Sequence, residues 1–234
     1  GLRRRPVPPA RRVQLPAAAD AAATAARILL DIDAVLIRPD QPFTLTSGRL
    51  SPVYVDCRRI ICFPRARAQL MAMMVDQLDA AAGPEAFDVV AGGETAGIPF
   101  AAWVAERMGL PMAYVRKKPK GFGRDALIEG VVPPGDRALL VEDLATDGGS
   151  KIHFVDALRG VDAECAHIAV VFRYGVFPEA EAKLAEKGCA LHGLTTWADL
   201  LAFAEADGRI AADAAAEARS FLSDPDAWSA ARAG

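Results

Sequence analysis

The stretch "RALLVEDLATDGGSKI", from Arg137 to Ile152, joins an apolar run, two acids and a turn of small residues. The apolar run predicts a buried strand, and the two glycines followed by apolar positions predict that a helix begins just after them. Successive backbone N–H groups in such a turn can converge on one anion, assisted by hydroxyl donors and the helix dipole. The stretch therefore predicts a strand–turn–helix unit with a phosphate-type site.

The same order of elements appears elsewhere in the chain. Residues 87–109, "FDVVAGGETAGIPFAAWVAERMG", pass from a strand through glycines into a helix, and "LPMAYVRKK" supplies the next strand. "ECAHIAVVFRY" and "CALHGLTTWADLLAFAEADG" add a strand and then a strand with a helix. Apolar strands alternating with helices are typical of a parallel sheet covered on both faces, which predicts an α/β fold with ligands at the carboxyl ends of the strands.

The N-terminal part of the chain does not show this alternation of strands and helices. Residues 17–37 predict a first helix and residues 64–82 a second, while prolines and glycines between them predict short strands and turns. The first sixteen residues hold five arginines, four prolines and no acid, which predicts a disordered arm, although a transit-like or nucleic-acid-binding arm stays open. Residues 17–234 are predicted to form one domain.

Composition excludes several classes of protein. The net charge of −3 gives no basic field for nucleic acid, and no apolar run approaches the roughly 20 residues that span a bilayer. The four cysteines lack paired spacing, which favours reduced thiols in the cytoplasm. The common nucleotide, hydrolase and zinc-protease motifs are absent, and the three histidines, His153, His167 and His192, are scattered and are predicted to be structural.

The acids Glu142 and Asp143 restrict the kinds of ligand that the small-residue turn could bind. Two uncompensated charges at the end of a buried strand cost several kcal/mol, so both carboxylates need cationic or hydroxyl partners. A ribose 5-phosphate offers a phosphate to the turn and two hydroxyls to the acids, which would also stabilise positive charge developing on the sugar ring. Alone, a T-x-G-G-S turn is a weak signal, and a plain strand-to-helix turn would look the same.

Four segments together resemble the orotate phosphoribosyltransferase family of type I phosphoribosyltransferases. "LLVEDLATDGGS" resembles that class's phosphoribosyl diphosphate signature, and "FTLTSGRLSPVYVD" its orotate-side motif. "GGETAGIPFAA" resembles its diphosphate-side turn, and "YVRKKPKGFGRDALIEG" its mobile catalytic loop. The resemblance spans about residues 40–200 in order and spacing. It implies a twisted, mostly parallel sheet flanked by helices, with a small hood from about residues 17–63 and the C-terminal part.

The resemblance also assigns roles to particular residues. It implies that the 5-phosphate is bound by the turn residues Thr146, Asp147, Gly148, Gly149 and Ser150. It also implies that Glu142 and Asp143 bind the ribose hydroxyls. The diphosphate would be bound by Arg116, Lys117 and Lys120. Tyr54 lies where the family has an aromatic against the orotate ring, and Arg173 where an arginine pairs with the orotate carboxylate. Mg²⁺ held mainly by the substrate, and a homodimer whose loop reaches across the interface, are implied in the same way.

Five positions depart from the family pattern, and Val55 and Phe172 are two of them. Thr46 and Ala96 stand where the better-known bacterial form has lysines, and Phe122 stands where it has the loop histidine. Neutralisation of the diphosphate is thereby expected to rest on the remaining loop cations and Mg²⁺. Asp147 is a third acid inside the turn, and its side chain is expected to point away from the phosphate while its backbone N–H donates.

Residues 116–124 carry five cations in nine positions, interrupted by a proline and two glycines. By itself such a run indicates a solvated basic loop, whereas beside a phosphate turn it favours a lid that closes over the leaving group. RNA binding has little aromatic support. A purine-type phosphoribosyltransferase, or a non-catalytic regulator that senses phosphoribosyl diphosphate, would share the 142–150 segment and remain as alternatives.

Overall fold

The computed structural model describes residues 18–45, 48–121, 127–146, 149–176 and 178–232. The predicted arm and positions 46, 47, 122–126, 147 and 148 lie outside these ranges. The strands in chain order are β1 Val35–Ile37, β2 Phe43–Thr44, β3 Leu50–Ser51, β4 Val53–Val55, β5 Val89–Gly93, β6 Met112–Val115, β7 Ile128–Glu129, β8 Arg137–Ala145, β9 Glu164–Arg173 and β10 Ala190–Thr196.

The helices form around these strands. They are α1 Ala18–Asp31, α2 Pro64–Ala82, α3 Gly97–Met108, α4 Gly149–Gly160, α5 Pro178–Glu186, α6 Trp197–Ala206, α7 Ala212–Ser223 and α8 Pro225–Ala230, with a 3₁₀ turn over Cys57–Cys62. Within the described ranges, no helix has the length and apolar character needed to cross a membrane.

The central sheet has six strands in the order β10, β9, β8, β5, β6, β7. Every neighbouring pair is parallel except β6 and β7, which are antiparallel. The prediction of an α/β fold with a mostly parallel sheet is confirmed. Because the five parallel strands share one direction, the turns that follow β5, β6 and β8 lie at the same edge of the sheet.

The two faces of the sheet belong to two separate apolar cores. Leu139 and Val141 join a core formed with α1, α2, α3 and α6, whereas Ala138 and Leu140 join one formed with α4 and α5. Successive side chains of a strand point to opposite faces, so residue 142 continues the α4 face and residue 143 the other. The two acids of β8 are therefore directed to different sides of the sheet.

The first predicted helix was too long. Helix α1 ends at Asp31, and Asp33 adopts a left-handed conformation with φ of 53°. Residues 35–37 then pair as β1 with β4 in an antiparallel ladder. Valine and isoleucine fit a pleated strand well, and the partner strand that decides the outcome lies about twenty residues further along the chain. The predicted helix over residues 64–82 is confirmed as α2.

Helices α7 and α8 extend the chain beyond the last predicted element. They pack on each other through an edge-to-face contact of Phe221 and Trp228. Helix α8 also reaches the short β2–β3 hairpin, where the Leu50 N–H donates to Ser229 Oγ at 2.9 Å and Arg49 pairs with Asp226 at 2.6 Å. The N-terminal hairpin and the C-terminal helix thus support each other, while the predicted division into arm, hood and body stays a prediction.

Candidate active site

Three segments meet at the carboxyl edge of the sheet, after β5, β6 and β8. Glu94, just past β5, accepts a hydrogen bond from the Lys117 backbone N–H at 2.7 Å and donates its own backbone N–H to Val115 O at 2.8 Å. The peptide bond from Glu94 to Thr95 is cis. The predicted diphosphate-side turn and the base of the basic loop are therefore joined through Glu94, a residue that the sequence analysis did not select.

Glu142 is buried beside a buried lysine. Its side chain is 8% exposed and that of Lys151, in the first turn of α4, 7%, with Lys151 Nζ 3.2 Å from Glu142 Oε2. Burial raises the pKa of Glu142 to about 7, and the positive charge of Lys151 opposes that rise. The cationic partner that a buried carboxylate requires is thus supplied from within the chain, by a residue immediately after the turn.

The other carboxylate oxygen of Glu142 lies between two glycines. A Cβ at Gly93 would collide with Oε1 and with the Phe154 ring, and a Cβ at Gly97 would collide with Oε1 and with Val141 O. Among the described residues, this buried oxygen has no hydrogen-bond partner. An unpaired buried acceptor is costly, so Oε1 is suited to receive a donor from a ligand.

Asp143 lies on the opposite side of β8, near the 3₁₀ turn. It is 7% exposed, and its Oδ1 accepts the Leu144 N–H at 2.9 Å. Burial raises the pKa of Asp143, with the charge of Lys151 as the main opposing influence and Arg58 a smaller one. Cys57 is buried nearby, and its thiol pKa is raised first by burial and then by the negative charge of Asp143.

The three predicted diphosphate cations follow β6, and two of them are held by one acid. Arg116 Nη1 lies 3.2 Å and Lys120 Nζ 3.7 Å from Oε1 of Glu129, in β7. The Lys120 side chain is still 73% exposed. Lys117 is placed by its backbone bond to Glu94, and its charge lowers the pKa of Glu142 slightly. The base of the loop is thus held close to the carboxylate site.

The residues predicted to contact orotate lie in β4 and at the end of β9. The Tyr54 ring lies 5.5 Å from the Phe43 ring, and its hydroxyl accepts a hydrogen bond from Arg58 Nη2 at 3.3 Å. Arg173 lies beside Ala145 in the sheet register, and its Nε is 3.6 Å from Glu181. Arg173 also lines a cleft of about 450 Å³ together with Tyr174, and the pKa of Tyr174 is raised first by burial and, to a smaller extent, by the charge of Tyr54.

The described residues of the phosphate-type turn lie directly after β8 and at the start of α4. Thr146 follows β8 directly and is exposed, and α4 begins at Gly149 with Ser150 exposed in its first turn. Lys151 Nζ lies 3.4 Å from Ser150 Oγ. Asp147 and Gly148 lie outside the described residues, and so do Thr46 and Phe122. Ala96 directly precedes α3 and has no side chain that could replace the lysine of the family pattern.

Sequence reasoning missed four charged residues of this region: Arg58, Glu94, Glu129 and Lys151. Lys151 carried a signal, since it directly follows a predicted phosphate turn on the same helix. Glu94 and Glu129 carried none, because their roles depend on how β6 pairs with β5 and β7. The structure also brings His167 and His192 together, with 2.9 Å between ring nitrogens, although they are 25 residues apart.

A parallel sheet with a buried acid pair, a phosphate-type turn and a basic loop at one edge matches a known class. Residues 65–189 match the family model described as the phosphoribosyl transferase domain. This match covers more than half of the chain and includes β5 to α5. The chain is a member of the phosphoribosyltransferases.

Comparison over most of the chain matches one particular family within this class. The orotate phosphoribosyltransferase of Cereibacter sphaeroides is 60% identical over 207 residues, which are 88% of this chain and 89% of that one. The crystal structure of orotate phosphoribosyltransferase from Aeropyrum pernix matches with a TM-score of 0.67 and 30% identity, over 80% of this chain and 99% of that one. Within its class, the chain belongs to the orotate phosphoribosyltransferase family.

A third protein is informative about ligands. Orotate phosphoribosyltransferase from Mycobacterium tuberculosis, solved in complex with 5-phospho-alpha-D-ribosyl 1-diphosphate, matches with a TM-score of 0.59 and 27% identity. The match covers 77% of this chain and 98% of that one. The fold that surrounds the acid pair here is therefore similar to one that binds phosphoribosyl diphosphate.

Proposed function

We propose that the protein transfers the phosphoribosyl group of phosphoribosyl diphosphate to orotate, giving orotidine 5-phosphate and diphosphate in UMP biosynthesis. The observation that carries the proposal is the buried acid pair of β8 in front of the phosphate-type turn. Among the described residues, one buried oxygen of Glu142 has no hydrogen-bond partner at this point, and the chain belongs to the orotate phosphoribosyltransferase family. Such a site suits a sugar phosphate, because the carboxylates can accept hydrogen bonds from the sugar hydroxyls and the turn can bind the phosphate.

The ribose 5-phosphate would bind along the end of β8. Backbone N–H groups and hydroxyls of residues 146–150 would hold the phosphate at the start of α4. The unpaired Oε1 of Glu142 would accept a hydrogen bond from a ribose hydroxyl, and Asp143 would approach the sugar from the other face of the strand. Both anions would stabilise the positive charge that develops on the ribose ring as the diphosphate departs.

The leaving diphosphate would be bound by the segment after β6. Arg116 and Lys120 are both paired with Glu129, and the diphosphate, with more negative charge, would compete for them. The exposed Lys120 side chain has the most freedom to move toward the leaving group. Ala96 contributes no charge, so the loop cations carry the larger share of the neutralisation.

Magnesium fits this arrangement as a partner of the substrate. Within the described ranges, no cluster of three or more histidines, cysteines or acids could hold a metal ion by itself. Diphosphate and ribose oxygens would provide most of the ligands of Mg²⁺, and the two carboxylates of β8 would accept hydrogen bonds from its waters. The ion would supply charge neutralisation and hold the diphosphate in a fixed geometry.

Orotate would enter from the hood side. Tyr54 would contact the ring and Arg173 the carboxylate, which requires Arg173 to leave its 3.6 Å pairing with Glu181. A ring nitrogen of orotate would attack the anomeric carbon as the bond to diphosphate breaks, and the proton of that nitrogen would pass to solvent or to the departing diphosphate. No side-chain nucleophile takes part in this reaction. The four free thiols suit a reducing compartment, in agreement with a cytoplasmic enzyme.

The test is an assay that follows the absorbance of orotate in the presence of phosphoribosyl diphosphate and Mg²⁺. We expect orotate to be consumed, with equal amounts of orotidine 5-phosphate and diphosphate formed. Parallel reactions contain hypoxanthine or guanine in place of orotate. Consumption of a purine with no loss of orotate would replace this proposal by the purine-type alternative, and binding without turnover would support a regulator.

A further inference from the structure

Lys151 is an unusual residue because its charge is buried at the start of a helix. It is 5% exposed, in the first turn of α4. Its ammonium group contacts two polar side chains, Glu142 Oε2 at 3.2 Å and Ser150 Oγ at 3.4 Å. A buried ammonium group is costly unless it is paired, and the helix dipole at this end of α4 is unfavourable for a cation. Its pairing with Glu142 offsets the first of these costs, whereas the unfavourable dipole remains.

The contact with Glu142 fixes the direction of that carboxylate. Lys151 holds Oε2, which leaves Oε1 turned toward Gly93 and Gly97, where any larger residue would collide with it. Oε1 is buried and has no hydrogen-bond partner among the described residues. One oxygen is thus anchored by the protein, and the other is a buried acceptor that a ligand hydroxyl would reach only after a shift of this side chain or of the two glycine segments.

The contact with Ser150 directs a hydroxyl group. A serine hydroxyl has one proton to donate and two lone pairs that accept. When the ammonium group of Lys151 donates to Ser150 Oγ, the Ser150 proton is left to be donated elsewhere. Ser150 is exposed at the turn assigned to the phosphate, and an anion there is the natural acceptor.

We propose that Lys151 is a positioning residue that serves both ends of the phosphoribosyl group. It keeps Glu142 an anionic acceptor turned toward a ribose hydroxyl, and it sets Ser150 as a donor to the 5-phosphate. The proposal rests on the function proposed above. Lys151 touches neither the reacting carbon nor the leaving group, and it acts through these two neighbours.

The charges around Glu142 make the effect of Lys151 measurable by pH. The groups that act on this carboxyl are Lys151 from α4, Asp143 on the same strand and Lys117 from the segment after β6. Of these, Lys151 is the strongest influence that lowers the pKa of Glu142, whereas burial and Asp143 raise it. Removal of the Lys151 charge would leave Glu142 protonated at neutral pH and unable to act as an anionic acceptor.

The experiment compares Lys151→Met with the wild-type enzyme between pH 5.5 and 9.5. The substitution keeps the length of the side chain and removes the charge, and Glu142 can compensate by protonation, so the variant is expected to fold. We expect kcat/KM at pH 7 to fall at least about tenfold and the acid limb of the profile to move up by about 1–3 pH units. Lys183→Met, in the exposed part of α5, is the matched control and should reproduce the wild-type profile.

A second experiment, in the Glu142→Gln background, distinguishes a positioning role of Lys151 from a general loss of structure. Glu142→Gln should remove the acid limb, and adding Lys151→Met to it should give a smaller loss that does not vary with pH. A loss of equal size in both backgrounds, or an unshifted profile in Lys151→Met, would overturn the proposal. If the wild-type enzyme does not consume orotate, the proposed function fails. Lys151 is then judged by thermal shift: phosphoribosyl diphosphate with Mg²⁺ should stabilise the wild type but Lys151→Met much less at pH 7, and equal shifts would refute its role.

Discussion

At the scale of single residues, the site depends on charged groups placed where a neighbour supplies the opposite charge. Glu142 is tolerated in a buried position because Lys151 is buried with it. Arg116 and Lys120 both pair with Glu129. If Arg116 and Lys120 bind the diphosphate as proposed, its competition with Glu129 would contribute to the free energy of binding.

Lys120→Ala tests the most exposed of these cations. If the ammonium group acts mainly on charge that develops in the transition state, kcat should fall by about 10²–10³-fold while the KM for orotate changes little. Steady-state kinetics with both substrates varied would measure this, with Lys183→Ala as the control for loss of a surface charge. Turnover at the wild-type level would exclude a catalytic role for Lys120.

At the scale of elements, the C-terminal helix α8 supports the hairpin assigned to the orotate side. Arg49 pairs with Asp226, and the Leu50 N–H donates to Ser229 Oγ. The ion pair is exposed on the Asp226 side, at 81%, and surface pairs contribute little. The bond from the Leu50 N–H to Ser229 Oγ is partly buried, so it is the contact with the larger effect.

Ser229→Ala should therefore loosen the hairpin and raise the KM for orotate by about 2–10-fold, the effect of losing one hydrogen bond. The KM for phosphoribosyl diphosphate should stay unchanged, because that ligand is assigned to the carboxyl ends of β5, β6 and β8. Ser220→Ala, on the exposed face of α7, is the matched control. A parallel rise in both KM values would show instead that α8 supports the whole domain.

At the scale of the whole molecule, the proposed homodimer makes a quantitative prediction. Lys120 of one subunit is expected to act at the site that contains Asp143 of the other. Lys120→Ala and Asp143→Asn should each be nearly inactive, and dissociated and randomly reassociated mixtures should regain about one quarter of the wild-type activity. Half of the dimers are then mixed, and each of these has one intact site of two.

The mixing experiment is read against homodimers of each variant that are treated in the same way, with sedimentation used to confirm the dimer. A mixture no more active than its components would place the loop over its own subunit's site. In that case the pairing of Lys120 and Arg116 with Glu129 describes a loop that closes within one chain.

The sequence by itself determined the sheet, the acid pair and the location of the site. Local signals carried these features: apolar runs of strand length, glycine-rich turns, and helical periodicity over residues 64–82. Two further features could not be predicted from the neighbouring residues in the sequence. Residues 35–37 became a strand because β4 pairs with them, and α7 and α8 are held by packing against each other and the hairpin.

Only the tertiary structure decided how the acids are used. From the sequence, Glu142 and Asp143 formed one pair, whereas strand geometry directs their side chains to opposite faces of the sheet. Lys151, Glu94 and Glu129 join the site because α4 and the β5–β6–β7 order bring them there. Periodicity is encoded by neighbouring residues, but pairing of charges depends on segments distant in the chain, which only the folded molecule brings together.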